Sequence, residues 1–158
     1  MDHAGTLQRG YTCSSGNGNA ICNGADDNGS GTIAVLNVAK ALSAVREHLK
    51  RSVLVMWFSG EEEGLIGSRH YVANPRVPLN RTVYMINLDM VGYLQTFGNQ
   101  LAALGGGTSA AGRSILEAID RKYDPRISIS NRAGGGSEHA PFMAAGIPGV
   151  FFHTGVSN

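Results

Sequence analysis

Two apolar runs, SVLVMWF at 52–58 and TVYMINL at 82–88, constrain the fold of this chain more than any other feature. Runs of this length, rich in β-branched and aromatic residues, mark strands buried on both faces, which occur in sheets flanked by helices. Between and around them the periodicity changes. Residues 30–49 carry Val35, Val38, Leu42, Val45 and Leu49 at steps of three and four, the stripe of an amphipathic helix. A second helix is expected over 62–73, stopped by Pro75, and a third over 109–122 with Ile115, Leu116 and Ile119 on its apolar side. A weaker strand at 100–104, a short helix at 138–145 and a last strand at 149–152 complete the pattern. Strands alternating with helices predict an α/β three-layer sandwich with a mostly parallel, mixed central sheet. No repeat or linker interrupts the 158 residues, so one domain over 1–158 is expected.

Charge and composition exclude several classes of function. Thirteen Lys and Arg against twelve Asp and Glu leave a net charge of +1, too little field to recruit nucleic acid or an anionic membrane. No stretch approaches the ~18 apolar residues of a membrane span. Function is therefore expected in a local site. The 22 glycines cluster in loops, at 16–31, 105–107 and 134–136. Cys13 and Cys22 bound a short polar segment and form either a local disulfide of an exported protein or two reduced thiols. The opening MDHAGTLQRG is polar and carries no leader pattern.

The acids fall where the strands end. FSGEEEGLIGS at 58–68 sets Glu61, Glu62 and Glu63 side by side after the first apolar run; Asp89 follows the second, and Asp26 and Asp27 lie in the loop before the first helix. Each has an ordinary reading as a helix cap, a strand-end turn residue or an acid in a first helical turn. Together they deliver carboxylates to one rim, the place where open α/β sheets bind ligands. Neighbouring carboxylates repel, so a divalent cation is their natural partner. A calcium loop beginning at Asp26 fails because its twelfth position is Asn37, and no Lys follows the glycines as a phosphate loop requires.

GADDNGSG (24–31), FSGEEEGLIGSRHY (58–71), INLDMVGY (86–93) and SEHAPFMAAGIPGVFFHTG (137–155), in this order, resemble the zinc-dependent aminopeptidases of the leucyl aminopeptidase and aminopeptidase Y type. That resemblance implies an α/β sandwich holding two zinc ions bridged by one Asp and a water or hydroxide. Asp26 matches the bridging ligand, Glu62 a ligand of one zinc and Asp89 a ligand of the other. Glu61 matches the general base and Glu63 no ligand. Asp2 matches the Asp of an H-x-D element, which orients the ligand His through its other ring nitrogen. That His would stand one position before Met1, and the family's Y-H-x-x-x-D element would fall beyond Asn158. The chain is thus expected to be a domain truncated at both ends, retaining carboxylates and lacking two imidazole ligands, with weak metal binding as the consequence.

The resemblance also implies hydrolysis of peptides with a free N-terminus. His139 is expected in a pocket-forming region, contacting substrate or packing. His153 is expected to be a strand-end residue, and His3 a rim residue. A glutaminyl-cyclase-like acyltransferase and an inactive fragment or binding module of the same fold are the alternatives. The cysteine pair and the habit of the family point to a secreted or periplasmic location.

Overall fold

The computed structural model describes residues 23–94 and 98–155. Four strands form one mixed sheet: β1 (Met85–Leu88), β2 (Leu101–Leu104), β3 (Ile127–Ile129) and β4 (Gly149–His153), in the order β1-β4-β2-β3. β1 and β4 run parallel with Met85 opposite Gly149, and β2 and β3 run parallel with Leu101 opposite Ile127. β2 and β4 are antiparallel, with Ala103 opposite Phe152. Helices α1 (Gly31–Ala44), α2 (Ile66–Ala73), α3 (Ala110–Tyr123) and α4 (His139–Ala144) accompany the sheet. None of the described helices is long and apolar enough to cross a membrane.

The core divides by the period of two along the strands. Met85 on one face clusters with Phe142 and Ile147, against which Met56, Phe58, Tyr71, Val72 and Leu79 pack. Val150 on the other face clusters with Ala103 and Leu116, backed by Tyr84, Ile127, Ile129 and Phe152. Phe58, Tyr71 and Phe142 form a three-ring group with centroids 5.7–6.2 Å apart, which ties the 52–58 segment and α2 to α4.

Local chemistry explains the helix ends. Ser109 caps α3, its side chain accepting from Gly112 N at 2.9 Å, and Arg121 and Lys122 sit in the last turn where the helix dipole favours cations. Pro125 follows immediately. α1 begins at Gly31, buried against β1, where a Cβ would meet Leu88 O and the Asn28 side chain.

The sheet departs from expectation at its most apolar segment. Residues 52–58 carry no strand ladder in the described structure. Met56 and Phe58 face the core, whereas Val53, Leu54 and Trp57 are 53 %, 52 % and 47 % exposed. A run becomes a strand only when a neighbour satisfies its backbone groups, and no described residue does so. The stripe expected over 30–49 is likewise open in part, with Val38, Val45 and Leu49 exposed and Val35 and Leu42 half-buried. Helix α2 starts at Ile66 rather than 62, because a turn intervenes, and β3 was not anticipated.

Candidate functional site

The loop over Ala25–Ser30 is stitched to the end of β1 by side chains. Asn28 Nδ2 donates to Leu88 O at 3.0 Å, while its Oδ1 accepts from Gly31 N at 3.0 Å and Met90 N at 3.3 Å. Ser30 Oγ donates to Asp26 O at 2.7 Å and accepts from Val91 N at 3.0 Å. The Asp27–Asn28 peptide is cis. These bonds bring Asp26 beside the stretch that carries Asp89, and Asp26 Oδ1 accepts from Gly92 N at 2.8 Å. A Cβ at Gly92 would stand 2.6 Å from that oxygen, so a side chain there would displace the Asp26 carboxylate.

Asp89 follows β1 and is 9 % exposed. Its Oδ2 accepts from Ser137 Oγ at 2.5 Å, and Ser137 Oγ in turn accepts from Asn87 Nδ2 at 2.8 Å. The amide thus fills one lone pair of the hydroxyl and directs its proton to the carboxylate. Burial raises the Asp89 carboxyl above the usual range; the Ser137 bond and His153 pull it down, and the charge on Asp26 pushes it up.

Glu61 opens a tight turn in which Gly64 N and Leu65 N donate to Glu61 O at 3.0 and 2.9 Å. Leu65 takes the left-handed conformation at φ 61°, and α2 begins at the next residue. The Glu61 carboxyl is pushed up to about 8, first by burial and then by repulsion from Glu62, Asp89, Asp27 and Glu138. Four chain segments therefore bring their acids within electrostatic reach of Glu61. Glu63 is exposed on the outer side of the turn.

Among the buried carboxylate oxygens, Asp26 Oδ2 and Asp89 Oδ1 have no hydrogen-bond partner. Unpaired buried oxygens on mutually repelling carboxylates are unfavourable, and a divalent cation removes both penalties at once. The donor chemistry thus fits zinc, with Asp26, Glu62 and Asp89 as the residues available to it. The set is carboxylate-only and open. Among the described residues no three His, Cys, Asp or Glu side chains are already gathered as a metal cage. His153 Nδ1 lies 3.0 Å from Asp89 O, so that imidazole is engaged with backbone.

His139 is wholly buried, with its ring 4.7 Å from that of Phe151 and its Nε2 2.9 Å from Ala133 O. Burial pushes its pKa down, which keeps the ring neutral. Asp2, His3, Cys13 and Cys22 lie outside the described residues. Sequence reasoning missed Ser137, Asn87 and Asn28, the side chains that aim the acids. The one available signal was Asn87, a polar residue inside the apolar run 82–88.

Known proteins resemble this chain in sequence and in fold. Aminopeptidase YwaD of Bacillus subtilis is 36% identical over 132 residues, covering 82% of this chain and 28% of that protein. Leupeptin-inactivating enzyme 1 of Streptomyces exfoliatus is 34% identical over 140 residues, covering 79% and 28%. The solved structure of BSAP, a zinc aminopeptidase from Bacillus subtilis, superposes with a TM-score of 0.62 at 34% identity, covering 82% of this chain and 32% of that one. The chain thus spans less than a third of the length of these relatives. The model of peptidase family M28 matches residues 1–158. The chain therefore belongs to peptidase family M28.

Proposed function

We propose that this chain carries the carboxylate half of a zinc aminopeptidase site, within a single domain over 1–158, and that the protein removes amino acids from peptides with a free N-terminus. The observation that carries the reading is the pair of buried, unpartnered oxygens on Asp26 and Asp89 beside Glu61. Asp26 would be shared between two zinc ions, with Glu62 on one and Asp89 on the other. Bound zinc loosens the proton of a water and polarises the scissile carbonyl.

Glu61 acts as general base. Its carboxylate takes the proton of the attacking water and returns it to the leaving amine. Its position suits that work: the opening residue of a turn, half-buried, surrounded by acids that raise its proton affinity. Asp2 would orient a further ligand His, and His139, enclosed against Phe151, supports the wall of the pocket. Export fits the Cys13 and Cys22 pair, which would then close a disulfide.

The test is turnover of aminoacyl anilides by the zinc-loaded protein and its Glu61→Gln variant. Loss of general-base catalysis lowers kcat by roughly 10²–10⁴. Near-normal turnover in the variant refutes the base assignment. Cyclisation of N-terminal Gln peptides without hydrolysis of other residues would refute the peptidase reading.

A further inference from the structure

We propose that Glu138 is a positioning residue of the metal site, a buried carboxylate that holds the Glu61–Glu62 turn in register with Asp89. This rests on the reading of the site given above and adds a residue to it.

Ser137, Glu138 and His139 enter α4 consecutively, and their exposures are 0 %, 8 % and 0 %. Each meets a different part of the fold. Ser137 Oγ donates to Asp89 Oδ2 at 2.5 Å, beyond the end of β1. Glu138 Oε2 accepts from Ser68 Oγ, on α2. His139 stacks on Phe151 of β4. Ser68 has one hydroxyl proton and two acceptors in reach, Leu65 O at 3.4 Å and the Glu138 carboxylate. The charged acceptor takes the proton.

Ser68 stands in the first turn of α2, which grows directly out of the Glu61 turn. Leu65 N donates to Glu61 O at 2.9 Å, Ile66 N to Gly60 O at 2.9 Å and Gly67 N to Ser59 O at 2.9 Å. A pull on Ser68 is therefore a pull on the backbone that carries Glu61 and Glu62. One residue earlier in α4's entry, Ser137 fixes Asp89. A single peptide unit thus links the tie to the glutamates with the tie to the aspartate.

Packing alone does not account for Glu138. The contact between α2 and α4 is already made by Phe142 against Tyr71 and Phe58, which requires no charge. A buried carboxylate at such a contact is unfavourable unless it is paired or hydrogen-bonded, and Ser68 supplies one such bond from α2.

The test measures zinc affinity of the full chain by competition with a chromophoric chelator, and the absorption spectrum of the cobalt(II) form. Circular dichroism and thermal melting run alongside. Ser68→Ala and Glu138→Ala should bind zinc ~10-fold or more weakly, with a shifted cobalt spectrum in the folded protein. Glu138→Gln keeps an acceptor for Ser68 and should stay within about 3-fold of the parent. Variants that melt earlier yet bind zinc with parental affinity and spectrum make Glu138 structural only and overturn the proposal. If Glu138→Ala does not fold, Ser68→Ala decides by the same readout. A parent chain that binds no zinc overturns the site reading and this inference together, whereas tight binding by parent and variants alike overturns this inference alone.

Discussion

Replacing Ser137 by Ala tests whether the carboxylate of Asp89 is held by design of the fold. The hydroxyl is wholly buried, donates to Asp89 Oδ2 at 2.5 Å and accepts from Asn87 Nδ2 at 2.8 Å. Its loss removes a charge-assisted hydrogen bond, worth about 1.5–3 kcal/mol, and leaves a buried amide donor unpaired, which costs about 1–3 kcal/mol. The two effects share one site and relax together, so about 3 kcal/mol is expected. For a chain of this size that lowers Tm by roughly 6–12 °C.

The pH dependence separates the two contributions. Asp89 has a folded pKa raised above its ordinary 3.8 by burial, and the Ser137 bond is the first of the contacts that limit that rise, ahead of His153 and His139. In the variant the folded pKa climbs further. A group with a raised folded pKa loses stability as pH rises past its unfolded value. The deficit of Ser137→Ala should therefore be larger near pH 7 and shrink on acidification, as Asp89 gains its proton. Urea denaturation in EDTA, followed by circular dichroism and by the fluorescence of Trp57, the sole tryptophan, measures this directly. A deficit below about 0.5 kcal/mol at pH 7 with unchanged m, or one that does not vary with pH, refutes the argument.

Two further outcomes follow from the same geometry. In EDTA, Glu61→Gln should stabilise the protein: the Glu61 carboxyl is raised from 4.5 to about 8, so its cost grows as pH rises through that window. After solvent screening of a half-exposed group the gain at pH 9 is about 1–2 kcal/mol and vanishes below pH 4.5; urea melts at the two pH values check it. Gly31→Ala adds a good helix former at a residue with φ −64°, yet its Cβ would meet Leu88 O, so a net loss of about 1–3 kcal/mol is expected, and a rise in Tm would show that α1 shifts freely from β1.

The fold was legible wherever a segment carries its own period. The apolar side of α3, the helix break at Gly146 and Pro148 and the strand at 149–153 follow from local sequence, and the structure agrees within a residue or two. Where strand character depends on a neighbour, local reading fails. Residues 52–58 are the most apolar run in the chain and form no ladder, because hydrophobicity makes a segment fit for burial and only a partner strand supplies its hydrogen bonds. β3 shows the converse. Ile127–Ile129 is three residues long, too short for any period to register, and it is a strand because Leu101 and Ala103 lie beside it.

The acids of the candidate site were legible for a similar reason: each stands beside a segment that announces itself, Asp26 before α1, Glu61 and Glu62 after the apolar run at 52–58, and Asp89 after β1. What sequence could not show is which oxygen of each acid is left over. That is decided by Gly92 N on Asp26 and by Ser137 on Asp89, at sequence separations of 66 and 48 residues. A carboxylate has two oxygens, and a hydrogen-bond donor supplied by the fold to one of them leaves the other as the unmet buried acceptor. The donors therefore choose which oxygen of each acid is left for a ligand. For that reason the polar residues that looked incidental in the sequence, Asn28, Asn87 and Ser137, are as much a part of the site as the acids they aim.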